Sequence, residues 1–432
     1  MKMLSRLLCG VLALALLCGC ALAEGAADDV YATVNGETIT REEFEICLTN
    51  LMAYQSYSGY DVTDPETVAQ LSELAMDTLV KLCLMDQKIA ELGLSLTDEE
   101  KADAAQEGRE RWEEDVRNSM TYYGATDADE EAVRAAVLVK VLDELEKRGY
   151  TEQSYIDDAL ESALYDKLEA QMVAGVTIED SQIAAGYYER VEAQREAIGD
   201  DAPFYEYILQ MNQMYLMGYS DSYIELYYRP EGYRRITHIL LAVDEALLMD
   251  YIDLQAAYEE QQSALEEGAT LEGAVLTEQE LEDARQAVLA SVQDEVDEIR
   301  QKLAEGVSFA ELIPQYSADA GMDSAAEIAA GWEVHMDSAY FPAGYRDAAF
   351  SLEEIGAVSE PVVTDEGVYL ISYAGDIAGG ALPLTEDMAD VIRMELMEAA
   401  QTQRYNEVLS SWVAAADLTY SDEILTLMGY ME

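Results

Sequence analysis

Stretches with apolar residues at intervals of three and four fill much of the first half of this chain. They cover residues 68–92, 97–123, 128–148 and 151–172, with aspartate and glutamate between the apolar positions. This spacing puts the apolar side chains on one face of a helix and the carboxylates on the other. Because only 7 of the 432 residues are proline, little interrupts such helices. The sequence therefore predicts a mostly helical region here.

The charge balance restricts what such a chain binds. The formal net charge is −63, spread along the chain rather than collected in one block. A surface of this sign repels phosphate backbones, which argues against nucleic-acid partners and favours basic or neutral ones. An ordinary solvated acidic surface is the alternative. With only two histidines and no Cys-x-x-Cys, the sequence predicts no metal site, and it carries no phosphate-binding glycine loop.

The N-terminus is typical of an export signal. Lys2 and Arg6 precede an apolar run at 7–17 that is too short to span a bilayer. We therefore expect residues 1–23 to be a signal peptide and the mature protein to lie outside the cytoplasm.

Two processing sites are open. Residues 17–20 resemble a lipobox, in which Cys20 would become a lipid-bearing N-terminus anchored to the cell membrane. Cleavage after Ala23 would instead release a secreted chain. Any membrane attachment would depend on Cys20. Two later cysteines, Cys47 and Cys83, are predicted either to pair as a disulfide or to stay as buried thiols.

A hairpin and a helix start follow the signal. Residues 30–34 are predicted to form a strand, Asn35-Gly36 a tight turn and 37–39 the return. Thr40 and Glu43 have the spacing of a capping box at the start of a helix. This opening resembles the N-terminal chaperone domain of SurA/PrsA-type exported foldases. The resemblance implies a chaperone domain over 27–230 that a C-terminal helix within 384–432 completes.

The segment 204–233 holds eight tyrosines and three methionines. Two interpretations are open, a forgiving surface for unfolded clients or ordinary helix packing between two domains. Residues 229–232, Arg-Pro-Glu-Gly, are predicted to end this helix and to mark the domain boundary.

Several motifs then follow in a fixed order. They are Arg-Arg-Ile-Thr-His-Ile-Leu-Leu at 234–241, Gly-Val-Ser-Phe-Ala-Glu-Leu at 306–312, Tyr-Ser-Ala-Asp at 316–319, Gly-Trp at 331–332, and the segments 345–352 and 359–370. Together they resemble the parvulin (PpiC-type) family of peptidyl-prolyl cis-trans isomerases, a small α/β fold. The resemblance implies such a domain at 233–376.

The connection after the first strand is longer than that family needs. We interpret about 245–276 as an inserted, mostly helical segment that either contacts clients or packs on the chaperone domain. Thr277 and Glu280 then form a second capping box, and Gly306 stands where a helix cap belongs. The expected fold class is a multi-domain α plus α/β protein: a helical chaperone domain and a parvulin-like α/β domain with a helical insertion. Residues 377–383 are predicted to be a linker, followed by a helix over about 385–415.

The resemblance also implies site residues. His238 matches the first family histidine, Asp319 a position that holds cysteine or aspartate, and Thr364 a polar residue beside the site. Tyr369 replaces the family's second histidine, and its phenol can still donate and accept a hydrogen bond although it does not titrate near neutral pH. These four are the candidate catalytic residues.

Three aromatic residues are the candidate substrate-binding residues. Phe341 and Tyr345 fall at pocket positions that the family fills with methionine or leucine and with phenylalanine, and Trp332 ends a glycine loop that is degraded here to Ala-Ala-Glu-Ile-Ala-Ala-Gly-Trp at 325–332. His335 matches no family position and is expected at the surface.

Each of these residues also has an ordinary structural explanation. A single histidine in an apolar strand is usually a core residue, an aspartate often caps a turn, and threonine and tyrosine favour strands. The aromatic residues at 341 and 345 are also consistent with an ordinary core.

Two functional hypotheses follow. The first is a prolyl isomerase and chaperone, without cofactor, that acts on exported polypeptides containing X-Pro bonds. The alternative is a holdase in which the parvulin-like domain binds unfolded clients with little or no catalysis. An acidic structural protein would predict internal repeats, and the sequence has none.

Overall fold

The protein was described from a computed structural model. It describes residues 29–59, 61–125, 131–266 and 275–431. The predicted signal peptide, Cys20 and both cleavage sites lie outside these ranges. The chain divides into two compact units. The first joins the residues up to Glu179 with those from Arg393 onward, and the second spans Asp180–Ile392.

The strands are β1 Val30–Val34, β2 Glu37–Thr40, β3 Tyr228–Arg229, β4 Arg234–Leu241, β5 Trp332–Val334, β6 Val362–Val363, β7 Val368–Asp376, β8 Gly380–Ala381 and β9 Leu418–Tyr420. The helices are α1 Arg41–Tyr57, α2 Pro65–Leu92, α3 Asp98–Tyr122, α4 Glu131–Lys147, α5 Glu152–Met172, α6 Asp180–Ile198, α7 Ala202–Leu216, α8 Glu245–Glu266, α9 Glu278–Ser291, α10 Gln293–Ala304, α11 Phe309–Tyr316, α12 Ala325–Ala330, α13 Ala343–Ser351, α14 Glu386–Ala415 and α15 Asp422–Leu427.

The first unit begins with the predicted hairpin. Strands β1 and β2 pair antiparallel around a turn in which Asn35 and Gly36 have φ values of 53° and 92°. Positive φ at both positions is what a type I′ turn requires, so the Asn-Gly prediction is confirmed. The capping box of Thr40 and Glu43 is present at the start of α1. On its other edge β1 pairs with β9, so residues from both ends of the chain share one sheet.

Helices α2 to α5 occupy the regions that the apolar periodicity predicted. Helices α3 and α5 cross closely at Gly108, where a Cβ atom would lie 2.5 Å from the carbonyl oxygen of Tyr155. Only glycine allows the two backbones to approach this far. Among the described helices, none is both long and apolar enough to cross a membrane.

The first unit contains Cys47 and Cys83, for which the sequence predicted either a disulfide or buried thiols. Cys47 and Cys83 are thiols rather than halves of a disulfide. Cys47 is buried and its thiol contacts the carbonyl oxygen of Ala75 at 3.8 Å, while the Cys83 sulfur lies 3.4 Å from a carboxylate oxygen of Glu37. Of the two alternatives, the structure has the one with thiols.

The second unit is built on an antiparallel sheet with the strand order β5-β4-β7-β6. Alternate residues of its central strands point to opposite faces. Ile239, Leu241 and Leu370 pack on one face with helices α8 to α11. Ile236 and Ile371 pack on the other, with α13. The fold class predicted from the sequence, a mostly helical protein with an α/β domain, is confirmed.

The insertion is helical where the structure describes it, since α8 spans most of it. Leu248 and Tyr251 of this helix join the core of the second unit, and so the segment packs on its own domain. Residues 267–274 lie outside the described ranges. The capping box of Thr277 and Glu280 is present, but the apolar stripe behind it forms two helices, α9 and α10, which Val292 separates.

Two expectations about residues 180–233 differ from the structure. The tyrosine-rich helix α7 ends at Leu216 rather than at 229–232, because Gly218 takes a left-handed φ of 78° and its N–H and that of Tyr219 cap the last turn. The boundary between units lies at Glu179 rather than near 230. Residues of α6, α7 and β3 share one core with Tyr233, which ties 180–233 to the second unit.

The segment 377–383 is more ordered than a linker. Strand β8 pairs with β3, and Ile377 and Leu382 pack against the core around Tyr233. The backbone N–H of Leu382 also donates to the carbonyl oxygen of Tyr227. Helix α14 then starts at Glu386, as the sequence predicted, and its later part belongs to the first unit.

Candidate active site

The site lies on the α13 face of the second unit's sheet. His238 lies on β4 between Ile236 and Leu240, which share that face, and Tyr369 lies on the neighbouring β7. The two rings meet edge to face with centroids 4.8 Å apart. Strand alternation therefore brings together two of the residues that the sequence singled out.

The His238 imidazole is held by hydrogen bonds at both nitrogens. Its Nε2 lies 2.6 Å from Oδ2 of Asp319, and its Nδ1 lies 2.6 Å from the hydroxyl of Tyr345 on α13. The ring is buried, whereas the Asp319 side chain is 22% exposed. The three residues form one polar line that runs from the sheet to the solvent-facing carboxylate.

The directions of these bonds follow from the chemistry of the partners. An ionised carboxylate only accepts, so Nε2 carries the hydrogen and donates to Asp319. Burial lowers the pKa of His238, opposed by the Asp319 carboxylate, and so favours the neutral ring. In a neutral imidazole Nδ1 is then an acceptor, and Tyr345 donates to it. Burial also raises the pKa of Tyr345, which keeps its phenol protonated for this role.

Asp319 serves two partners at once. It follows α11 and opens a short 3₁₀ turn, where its Oδ1 accepts from the backbone N–H of Gly321 at 2.8 Å. Its Oδ2 faces His238. The capping role and the site role were alternatives in the sequence, and the geometry combines them.

Tyr369 and Thr364, the other two candidate catalytic residues, have hydrogen-bond partners outside this polar line. The Tyr369 hydroxyl donates to the Glu366 carboxylate, and no hydrogen bond joins it to His238 among the described contacts. Thr364 is buried in the turn between β6 and β7, where its hydroxyl oxygen accepts from the N–H of Glu366 at 3.2 Å. It does not line the cavity beside His238. The hydroxyl that bonds the histidine thus comes from Tyr345, a residue expected only as a pocket wall.

Aromatic rings form the wall beside this polar line. Phe341 and Tyr345 stack with centroids 5.1 Å apart and an interplanar angle of 10°. Trp332 meets Phe341 edge to face at 6.2 Å, and Tyr345 meets Tyr369 in the same way at 5.0 Å. All three predicted substrate-binding residues therefore border one space.

That space is a cavity of about 560 Å³. Beyond the predicted residues, it is lined by side chains that sequence reasoning missed: Glu206, Leu209, Gln210 and Gln213 of α7, together with Tyr233, Glu333, Tyr340, Pro342, Asp365 and Glu366. The unusual composition of 204–233 was the available signal for α7. The sequence left open a client-binding surface or helix packing between two domains, and neither interpretation placed α7 at this site.

Glu206 is a buried carboxylate at the edge of this cavity. It accepts from the Ser338 hydroxyl at 2.9 Å, from the N–H of Ala339 at 3.3 Å and from the Tyr233 hydroxyl at 3.4 Å. These bonds attach α7 to the loop that carries Phe341.

His335, expected at the surface, is buried. Its Nε2 lies 3.0 Å from the carbonyl oxygen of Glu231, and its Nδ1 accepts from the N–H of Asp337. Its ring packs against that of Tyr233. The expectation failed because it was made from a missing match and not from any property of the local sequence.

Comparison with known proteins gives one family match in each unit. Residues 3–128 match the family described as SurA-like N-terminal domain, and residues 274–374 match the family described as PPIC-type PPIASE domain. The chain combines these two domains. The PPIC-type match begins at residue 274, near the end of the insertion, so Asp319 and Tyr369 lie within it and His238 lies upstream of it.

One curated relative is the foldase protein PrsA of Oceanobacillus iheyensis, which is 33% identical over 123 residues. The match covers 25% of this chain and 38% of the relative, so the chain spans well under half of that protein's length.

Two solved structures are also similar. PrsA of Bacillus anthracis, a peptidylprolyl isomerase, is 15% identical with a TM-score of 0.20, covering 78% of this chain and 96% of that one. A SurA-like chaperone of Campylobacter jejuni is 9% identical with a TM-score of 0.28, covering 91% and 99%. The whole chains superpose poorly at these scores.

Proposed function

We propose that the protein is a peptidyl-prolyl cis-trans isomerase that also acts as a folding chaperone for exported polypeptides. The observation that carries this proposal is the polar line of Tyr345, His238 and Asp319 beside an aromatic cavity. The PPIC-type domain match supports the same chemistry.

The arrangement suits rotation about an amide bond. That rotation faces a barrier of about 18–20 kcal/mol, because the planar amide is stabilised by resonance. The planar form carries more charge separation than the twisted form. An aromatic wall that excludes water from the bound carbonyl therefore favours the twisted form, which lowers the barrier. The ring of proline packs against Phe341 and Trp332 in this proposal, and the polar line faces the amide. No cofactor is needed for such a step.

The test is exchange NMR on Ala-Xaa-Pro-Phe peptides with the wild type and Asp319→Asn. We expect the wild type to accelerate cis/trans exchange and the variant to lose at least tenfold, because an amide at this position no longer presents an anionic acceptor to His238. Asp347→Asn, on an exposed position of α13 outside the cavity, is the matched control and should keep full activity. Equal activity of wild type and Asp319→Asn would overturn the site assignment. The absence of any acceleration by the wild type would overturn the isomerase proposal.

A chaperone activity that does not depend on catalysis has its own support. The end of α7 and the segment after it expose large apolar side chains, including Leu216 and Tyr219, each 76% exposed, and Met217. Exposed apolar patches of this kind are typical of interaction sites. If the wild type suppresses aggregation of an unfolded client and also lacks exchange activity, the holdase alternative replaces the isomerase.

We also propose that the protein is exported, with either a lipid on Cys20 or release after Ala23. Mass spectrometry of the mature N-terminus separates the two. A diacylated peptide beginning at Cys20 indicates the anchored form, and an unmodified peptide beginning at Glu24 indicates the secreted form.

A further inference from the structure

The cavity of the candidate active site is acidic. Its lining includes the carboxylates of Glu206, Asp319, Glu333, Asp365 and Glu366. Among the described residues that line it, there is no lysine or arginine. A ligand that enters therefore meets negative charge from several directions.

Three of these carboxylates already have partners within the fold. Glu206 is buried and accepts three hydrogen bonds, and Glu333 forms an ion pair with Arg229 at 3.3 Å. Asp319 accepts from His238 and Gly321. They leave Asp365 and Glu366 as the carboxylates with the most capacity for a ligand.

Asp365 and Glu366 are exposed in the turn between β6 and β7. Glu366 accepts from the Tyr369 phenol, and within the described chain neither residue has an ion pair with a lysine or arginine. Burial, the bond to Glu366 and then the nearby carboxylates raise the pKa of Tyr369, so the field of this turn reaches the site.

The turn itself is fixed. The N–H of Thr364 donates to the carbonyl oxygen of Gly367 at 2.8 Å. At Gly367, φ is 146° and a Cβ atom would lie 2.6 Å from the carbonyl oxygen of Leu241, so only glycine fits. The two carboxylates are thus attached to a turn that is bonded across the sheet, at a set place on the rim of the cavity.

We infer that this site selects X-Pro bonds with a lysine or arginine next to the proline, held by Asp365 and Glu366 at the cavity rim. The inference rests on the proposed function only in that it concerns peptides bound at the same cavity. Opposite charges near a protein surface attract most strongly at low salt, and screening at 1 M salt reduces the range of the attraction to about 3 Å. The chain's overall charge of −63 attracts cations without selecting a site, and the experiment must separate the two effects.

The experiment titrates the intact, isotope-labelled protein with peptides and records both chemical shifts and cis/trans exchange. The peptides are Ala-Xaa-Pro-Phe and Ala-Ala-Pro-Xaa, with Xaa as lysine, alanine or glutamate. We expect lysine peptides of at least one series to bind about tenfold more tightly than glutamate peptides at low salt, with the ratio falling at high salt. The double variant Asp365→Asn/Glu366→Gln should reduce that ratio to about threefold or less.

The matched control is Asp294→Asn/Asp297→Asn on α10, which removes the same charge from exposed positions outside the cavity. It should keep the lysine-to-glutamate ratio. An equal loss in both double variants would assign the preference to the overall field and overturn the inference. So would a ratio that the cavity variant leaves unchanged, or a lack of lysine preference in both series.

Failure of the proposed function is a separate result. Lysine-selective binding that depends on Asp365 and Glu366, without accelerated exchange, supports the inference and removes the isomerase. Accelerated exchange without charge preference removes the inference alone. If no peptide binds, both are overturned.

Discussion

The Tyr345 hydroxyl has a role that can be separated from that of its ring. The hydroxyl donates to His238 Nδ1, while the ring stacks on Phe341. We expect Tyr345→Phe to keep the wall and to leave a buried nitrogen without its donor, which costs about 1–3 kcal/mol. Exchange NMR should show a several-fold loss of activity, and the ¹⁵N shifts of the His238 ring should change.

Tyr373→Phe is the control for this substitution. Tyr373 is a buried tyrosine as well, on β7, but its hydroxyl donates to Asp376 and it does not line the cavity. This variant should retain activity. If the two variants lost activity equally, the Tyr345 hydroxyl would have no special part in the site.

Glu161 makes the first unit sensitive to pH. Burial, with a smaller contribution from the Asp86 charge, raises the pKa of Glu161 to about 7, although the Tyr165 hydroxyl opposes the shift. A carboxyl whose pKa is higher in the folded state contributes its full stabilisation below its pKa in the unfolded state, which is near 4.5 for glutamate. That contribution is lost as the pH rises through its pKa in the folded state, about 7. The first unit should therefore be more stable at pH 5 than at pH 8. Burial also raises the pKa values of Asp86 and Asp158, which add to the same trend.

Glu161→Gln should stabilise the first unit at pH 8 by about 1 kcal/mol, less than the full shift implies because the carboxyl is partly exposed. The measurement is denaturant unfolding at pH 5 and pH 8 in a Trp332→Phe background. The other two of the three tryptophans, Trp112 and Trp412, both lie in the first unit, so fluorescence reports that unit alone. Glu152→Gln, at an exposed position of the same helix, should leave the pH dependence of stability unchanged. If this variant altered the pH dependence as much as Glu161→Gln does, the prediction would be contradicted.

For individual residues, the sequence predicted which side chains meet but not which hydrogen bonds they form. The resemblance to the parvulin family, which depends on the order of the motifs, implied that His238, Asp319, Tyr345 and Tyr369 belong to one site. Which phenol reaches His238 depends on side-chain rotamers and on the position of α13, and neither can be obtained from spacing. That these residues catalyse remains a prediction.

Helix α7 lines the cavity with four side chains, and the buried one among them is Glu206. Glu206 connects it to the loop at 338–340, which leads to Phe341. We expect Glu206→Ala to remove an acceptor from the buried hydroxyls of Ser338 and Tyr233 and to destabilise the second unit by roughly 2–4 kcal/mol. The loosened loop should raise the Kd for proline peptides several-fold, measured by NMR titration at a temperature where the unit stays folded.

Gln210→Ala is the matched change on the same helix. Gln210 accepts from the Tyr340 hydroxyl at an exposed position, and we expect a loss of less than about 0.5 kcal/mol. If Glu206→Ala were equally mild, the connection between α7 and the loop would have little importance.

Local signals predicted the elements best. The Asn-Gly turn and the capping boxes at Thr40 and Thr277 depend on residues a few positions apart, and all three are present. The end of α7 was predicted too late, because the prediction used the Pro-Glu-Gly signal at 230–232 and did not consider Gly218. The contact of Glu206 with Ser338 spans 132 positions, and no local pattern carries such a distance.

For the molecule as a whole, the last fifteen residues complete the first unit. Strand β9 pairs with β1, and Ile424 of α15 is fully buried in the core with Phe44 and Met76. Removal of 418–432 should unfold the first unit and leave the second intact. Hydrogen exchange read by mass spectrometry checks this, with protection lost in β1 and α2 and kept in β4 and β7.

Single substitutions give the controls. Ile424→Ala should cost about 2–4 kcal/mol in the first unit, as for other large-to-small changes in a core. Leu427→Ala, at a position that is 38% exposed, should cost far less. If hydrogen exchange rose equally in both units after the truncation, the two units would not fold independently.

The pairing of β1 with β9 also sets an order of events in time. A ribosome or an export channel releases the N-terminus first, so β1 is available long before its partner at 418–420 exists. Every residue of the second unit emerges in between and can fold on its own sheet. Once folded, it replaces a long flexible loop with a compact body, which lowers the entropy cost of bringing the two ends together. The second unit can thus fold before the first, whose sheet closes only after residues 418–420 have emerged.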